Sequence, residues 1–313
     1  MPIWLALVTF TAGIILVIKG GDWFVDAATW VAKAANVPTF IIGATIVSIA
    51  TTLPEMIVSV IASIDGKTEM AIGNAVGSVT ANTGLIMAIA MIFMTVIAER
   101  KKYLRQCLLL VAAAAVLYLG SRGGRLEIWA SAALAVIFVT FMVINVTIAR
   151  DDMEENPERG IISGKLIFRH IVLFVLGAVC LVVGSDLLVD GGSALAERMG
   201  VPERVIAVTL VAVGTSLPEL VTTLTAIRRK ESGLSIGNIV GANIIDLSLI
   251  LPICSVVSGE RLPVSAQSAG IDMLACLIVL CVAVFPMLIR QKAGKVQGLV
   301  CLAIYAVYLA ITV

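Results

Sequence analysis

The chain repeats itself at a fixed distance, and that distance limits its possible folds more than any single segment does. GGDWFVD at 20 to 26 returns as GSDLLVD at 184 to 190, an offset of 164 residues. At the same offset NVP (36 to 38) meets GVP, ATTLPE (50 to 55) meets GTSLPE (214 to 219), and IGNAVGSVTAN (72 to 82) meets IGNIVGANIID (236 to 246). No gap is needed, and roughly 23 of the 73 positions from 20 to 92 are identical to their partners at 184 to 256. Shared hydrophobicity does not keep register in this way, so the two halves are copies of one unit.

The solvent of that unit follows from composition. Of 313 residues 60% are hydrophobic and only 14% charged, with a mean hydropathy of +1.07, which is not the make-up of a water-soluble globule. Apolar runs long enough to cross about 30 Å of hydrocarbon recur throughout. Dividing the chain at its polar clusters and at Gly or Pro predicts ten spans: 3 to 32, 39 to 64, 70 to 98, 103 to 120, 126 to 149, 166 to 196, 203 to 227, 234 to 257, 266 to 289 and 295 to 312. The fold class expected is therefore an all-α polytopic membrane protein. The first span lacks the basic leader and small-residue cleavage site of a secretory signal and reads as a retained helix.

Each half holds five spans, an odd number, so the second copy enters the bilayer from the opposite side. That is an inverted-topology repeat, in which ion and substrate sites lie near the midplane where corresponding broken helices meet. The organisation expected is a first five-helix repeat over 1–150, a cytoplasmic linker over 151–165 and a second repeat over 166–313, with the repeated ATTLPE/GTSLPE and IGN stretches falling within 41–92 and 205–256. Lys and Arg in alternate connections divide fifteen to six, the larger share falling at Lys33, the 100–105 cluster, Arg150 to Arg169, Arg228 to Lys230 and Arg290 to Lys295. The positive-inside rule makes that side cytoplasmic and puts both termini outside the cell membrane.

Composition also excludes function classes. A net charge of +1 gives no reason to expect nucleic acid as a partner. Gly66-Lys67-Thr68 lacks the upstream glycine of a phosphate-binding loop, so no ATP site is expected. The six cysteines all fall in apolar runs without a CxxC pair and read as packing residues. No cofactor is implied, and a monomer is sufficient.

The chemistry concentrates at four polar positions near span centres: Glu55, Asn82, Glu219 and Asp246. A carboxylate at that depth costs about 2.5 kcal/mol or more, and no Lys or Arg lies in these spans at the same depth to pair with it. A bound cation is the simplest partner. Pro54 and Pro218 each remove a helical hydrogen bond and displace the carbonyl four residues earlier, at Ala50 and Gly214. Such irregular backbone is tolerated in a membrane where it lines a cavity. Thr51, Thr52, Thr215 and Ser216 add hydroxyls in the same turn, and the GxxxG spacings at 73 and 77 and at 237 and 241 allow a neighbouring helix close. An all-oxygen ligand set suits Ca²⁺ or Na⁺ and argues against Zn²⁺ or Cu⁺. Three ionised carboxylates would be balanced by one divalent ion or two to three monovalent ones, and competing occupancy of one pocket couples the movement of one ion to another.

At TTLPE, GTSLPE and the two GN stretches the chain resembles the sodium/calcium exchanger family, within the calcium/cation antiporters, over nearly its whole length. The resemblance implies an antiporter, not an enzyme, whose pocket alternates between Na⁺ and Ca²⁺ while the first and sixth spans slide over the rest. It implies that Glu55 and Glu219 bind Ca²⁺ beside Thr51 and Thr215, that Thr52 and Ser216 supply the next hydroxyls, and that Asn82 and Asp246 form the polar pair on the third and eighth spans. It further implies main-chain carbonyls from Ser48 and Ala212 and a hydroxyl from Ser78. Two positions depart from the family: Ala242 stands where serine is usual, and Ala50 where the first motif has glycine.

Other readings remain open at this point. H⁺ or K⁺ in place of Na⁺ as the coupling ion fits the same residues, and a passive cation channel could use the same oxygens. Asp22, Asp26, Asp186 and Asp190 recur in both halves near span ends and read as capping or interfacial groups. Trp4, Trp23, Trp30 and Trp129 read as interfacial anchors, and His170 as a solvated interfacial side chain.

Overall fold

In the computed structural model of the chain, residues 1–97, 100–155, 164–200 and 214–312 are described. They form α1 (Ile3–Ala35), α2 (Thr39–Thr51), α3 (Leu53–Ile64), α4 (Thr68–Phe93), α5 (Arg100–Gly120), α6 (Ile128–Glu155), α7 (Gly164–Arg198), α8 (Leu217–Arg229), α9 (Ser232–Val257), α10 (Ser268–Arg290) and α11 (Lys295–Thr312). Eight of these are individually long and apolar enough to span a bilayer, and α2 with α3 makes one further span bent by 46°. The seventh expected span is represented by α8; its first half, with Ala212 and the start of the 205–256 stretch, lies outside the described residues. The only departure from all-helical structure among the described residues is small: Val96–Ile97 (β1) pairs antiparallel with Lys292–Ala293 (β2), and Arg125 bridges Pro263.

Residues sort as they do in lipid. Ile, Val and Leu crowd the outside of α1, α6, α7 and α11, whereas Ser48, Thr51, Glu55, Asn82, Glu219, Asn238, Asn243 and Asp246 are buried. In α9 every residue from Leu234 to Ile245 is buried, so this helix is central. Gly237 and Gly241 permit it: a Cβ on Gly237 would strike the Phe40 carbonyl, and one on Gly241 would lie 2.5 Å from the Ala44 carbonyl of α2. Their counterparts Gly73 and Gly77 have no described atom within 4 Å of such a Cβ, and the repeat-equivalent partner stretch, 203–213, lies outside the described residues.

The two longest helices show the repeat most directly. α1 and α7 lie antiparallel with backbones in contact: a Cβ at Gly13 would sit 2.6 Å from Leu188 N, and one at Gly177 would sit 2.7 Å from Phe24 N. Gly20 meets Cys180 and Gly177, while Gly184 meets Val17. Gly13 and Gly177 are one offset apart, as are Gly20 and Gly184, so each copy contributes the same two glycines to one shared seam. Both helices also end alike, α1 at Asn36 with φ 53° and α7 before Gly200 with φ 78°, each followed by Val-Pro.

Proline is handled in two ways. Pro286 inside α10 frees the Val282 carbonyl, and Gln297 of α11 donates its amide to that carbonyl at 3.0 Å and to Ala283 at 2.7 Å. No described side chain donates to the carbonyls freed by Pro54 and Pro218, at Ala50 and Gly214. One proline break is sealed by a neighbouring helix, and the other two are left available.

Candidate ion-binding site

The breaks expected at the two prolines are where the site forms. Thr52, between α2 and α3, has φ −85° and ψ 1°, and Ser216, before α8, has φ −88° and ψ 8°. Each is followed by a helix with proline in its first turn, and each of those turns also carries the glutamate, Glu55 or Glu219. Unpaired N–H groups and the helix dipole at such an N-terminus favour a carboxylate. This local field offsets part of the cost of burying a negative group there.

The halves then cross-link. The Thr52 hydroxyl donates to Glu219 Oε1 at 3.3 Å, and the Ser216 hydroxyl donates to Glu55 Oε1 at 3.5 Å. Because 52 and 216, like 55 and 219, lie one offset of 164 residues apart, the same bond is made once from each sequence repeat. Thr51 lies beside the Glu219 carboxylate as well, and Asp246 is within electrostatic reach of both glutamates.

What is left over defines the site. Glu55 Oε2, Glu219 Oε2, Asp246 Oδ1 and Oδ2, and Asn82 Oδ1 are buried and without a hydrogen-bond partner. All five are acceptors, and no described Lys or Arg forms an ion pair with the three carboxylates. Leaving one buried acceptor unsatisfied costs about 1–3 kcal/mol, more when it is charged. Among the described residues no three His, Cys, Asp or Glu side chains converge closely enough to hold a metal by themselves. A cation here therefore needs hydroxyl, amide and main-chain oxygens together with the carboxylates.

The remaining expected ligands divide. Ser48 and Ser78 are buried, the Ser48 hydroxyl turned back to the Thr45 carbonyl at 3.1 Å. Ala242 is buried one turn before Asp246 and brings no hydroxyl to that face. Thr215 is half-buried and lines a cavity of about 410 Å³ with Pro54, Pro218, Ser185, Asp186 and Asp190. Asp186 and Asp190 thus face a cavity against the two breaks, while Asp22 and Asp26 pair with Arg228 and Arg229 of α8, Asp26 at 2.8 Å. All four stay accessible, as the interfacial reading expects, with ion pairs at Asp22 and Asp26 and a cavity wall at Asp186 and Asp190 in addition.

Several participants were missed by sequence reasoning. Asn238 accepts the Thr51 hydroxyl at 3.1 Å, and its twin Asn74 donates to the Glu55 carbonyl at 3.3 Å and to Ser59 at 2.9 Å. Both were visible in the repeated GN, which was read for its glycines alone. Asn243 donates to Thr83 at 2.9 Å, tying α9 to α4. A π-helical stretch begins at each member of the polar pair, Asn82–Met87 and Asp246–Ile250. Such turns concentrate at functional sites and have no periodic signature.

Comparison with known proteins bears on the family and the overall fold. The profile of the family described as sodium/calcium exchanger protein matches residues 5–147 and 169–313. An uncharacterized membrane protein of Methanocaldococcus jannaschii is 33% identical over 304 residues, covering 96% of each chain. A sodium/calcium exchanger of Methanosarcina acetivorans is 26% identical, again over 96% of each chain. A solved structure of the sodium-calcium exchanger NCX_Mj, soaked with 10 mM Na⁺ and no Ca²⁺, superposes with a TM-score of 0.85 at 30% identity, covering 98% of this chain and 99% of that one.

Proposed function

The chain belongs to the sodium/calcium exchanger family, and from that premise we propose that it is a secondary antiporter moving Ca²⁺ against Na⁺ through one midplane site. The observation that carries this reading is the set of five buried, unpartnered acceptor oxygens on Glu55, Glu219, Asp246 and Asn82, gathered by a bond repeated from each half. A divalent ion or several monovalent ions can satisfy the same oxygens, and the two occupancies exclude each other. Empty, the site holds up to three like charges in a low dielectric; loaded, it is close to neutral. The loaded forms are therefore the ones that cross between the two faces, and that difference is what couples the ions.

Alternating access follows from the same architecture. Residues from both repeats form the site, so displacing one set of helices against the other changes its exposure without moving the ligands far apart. The glycine seam joins α1 and α7 as a pair, consistent with their moving together. The cavity against the breaks, with Asp186 and Asp190 on its wall, draws cations toward Thr215 by its field. With the fifteen-residue basic side cytoplasmic, both termini are outside the cell membrane.

Equilibrium binding tests the shared site. Radiolabelled Ca²⁺ bound to the purified chain is expected to be displaced by Na⁺ with a steep, multi-ion dependence and not by equal concentrations of K⁺. Ca²⁺ retained at saturating Na⁺ would refute a common pocket. Ala242→Ser restores a hydroxyl one turn before Asp246 and is expected to lower the Na⁺ concentration needed; an unchanged Na⁺ curve would show that this position contributes no ligand.

A further inference from the structure

Two cavities meet at the end of the bundle where α1 finishes and α7 begins. One, of about 510 Å³, is an apolar groove between the α1–α7 pair and α2, with Val31, Ala35, Ile42, Ile46, Ile171 and Phe174 on its walls. The other, of about 490 Å³, is polar and is lined by Thr29, Lys33, Arg169 and His170, with Asp26, Arg229 and Glu231. Trp30 lines both, stacked on His170 at 3.9 Å with the rings 6° from parallel. His170 is held there because Nδ1 donates to the Leu166 carbonyl at 2.8 Å. The outcome is an apolar slot opening beside a polar basin, the shape of a lipid tail and its headgroup.

The charges of the basin do not balance. Asp26 is taken by Arg229, and Glu231 by Lys33 at 3.7 Å. Arg169 has no carboxylate within ion-pair distance among the described residues, so three basic side chains face two acidic ones. One excess positive charge and a free guanidinium match a singly charged phosphodiester, which Arg binds through paired N–H groups. Basic pockets between spanning helices are the recurring form of anionic-lipid sites.

We propose that the joined cavities bind one anionic phospholipid, its phosphodiester at Arg169 and Lys33, and an acyl chain in the groove between α1–α7 and α2. The lipid lies on the seam between the glycine-joined helix pair and the helix that leads into Thr51 and Thr52. Its occupancy therefore bears on how the pair moves and not on the ion ligands. The inference stands on the membrane-spanning fold and not on the identity of the transported ions.

The test is lipid retention by the purified full chain, measured by native mass spectrometry with phosphatidylglycerol and phosphatidylcholine of identical acyl chains. Wild type is expected to keep one phosphatidylglycerol per chain and to release phosphatidylcholine. Arg169→Gln and Lys33→Gln should each weaken that preference by about fivefold. Ile171→Trp, which fills the groove, should abolish retention of phosphatidylglycerol. Arg122→Gln, removing a charge elsewhere, should change nothing, and thermal unfolding in phosphatidylcholine micelles identical to wild type confirms that each variant is folded. Equal retention of both lipids by wild type would overturn the proposal, as would undiminished preference in folded Arg169→Gln. Displacement of the lipid by inorganic phosphate would overturn the requirement for an acyl chain.

Discussion

Replacing Glu55 by glutamine is expected to stop Ca²⁺ transport while leaving the protein folded, and Glu219→Gln should do the same. Glutamine keeps the shape of the side chain and still accepts a hydroxyl hydrogen bond, so the contact from Ser216, or from Thr52 in the second variant, survives. What it removes is the charge facing a desolvated cation. Breaking a buried charge pair by neutralising one member costs about 3–5 kcal/mol, so Ca²⁺ affinity should fall by about 100-fold or more. The same bond made from each sequence repeat makes the two variants similar in size of effect. Wild-type uptake by either one, with expression and melting unchanged, would show that the glutamates only pack the helices.

The second large effect is expected at the seam of α1 and α7. Gly177→Val puts a branched side chain where even a Cβ lies 2.7 Å from the Phe24 amide nitrogen, and Gly13→Val does so 2.6 Å from Leu188 N. The obstructing atoms are backbone, which cannot rotate away, so the helices must separate. Overpacking typically costs about 1–3 kcal/mol, and here it also opens the Gly20 and Gly184 contacts. Both variants should melt well below wild type and lose transport even where they still insert. Gly270→Ala, where no described atom lies within 4 Å, is the control and should be silent. If Gly177→Val melted like wild type, the glycines would not be what holds the two helices together.

How much of this was legible in the sequence depends on what each residue does. Glu55, Glu219, Asp246 and Asn82 could be found because a charge or amide amid apolar residues is anomalous, and the anomaly recurs at a fixed offset. Pro54 and Pro218 marked the breaks for a reason that is local to the backbone. The glycine seam had the same offset, at 13 and 177 and at 20 and 184, yet Gly13 and Gly177 lie in stretches read only for hydrophobicity, and Gly20 and Gly184 were read as part of the repeat without a packing role. Asn74 and Asn238 show a different limit: the repeat makes them equivalent, but one holds the Glu55 carbonyl and the other takes the Thr51 hydroxyl. Symmetry of sequence does not dictate symmetry of hydrogen bonding when the surroundings differ. Asp22 and Asp26 were read as capping or interfacial groups because their partners, Arg228 and Arg229, are about 200 residues away and only the folded bundle brings them together. The π-helical turns at Asn82 and Asp246 leave no mark on the sequence.

Serine and threonine were the least legible. Their hydroxyls serve helix carbonyls as readily as ions, and Ser48 does so here while Thr52 and Ser216 reach across to the opposite glutamate. Thr215, the repeat counterpart of Thr51, lies on the cavity wall beside Pro54 and Pro218.

The most direct test of the account is radiolabelled Ca²⁺ uptake into proteoliposomes holding the purified chain, with Na⁺, K⁺ or H⁺ gradients imposed one at a time. Uptake should require Na⁺ inside the vesicle, rise with that gradient, and vanish when K⁺ or a pH difference replaces it. Uptake of the same size with no counter-ion gradient would make the protein a channel, and uptake driven by K⁺ or H⁺ but not Na⁺ would contradict the coupling proposed for its central site.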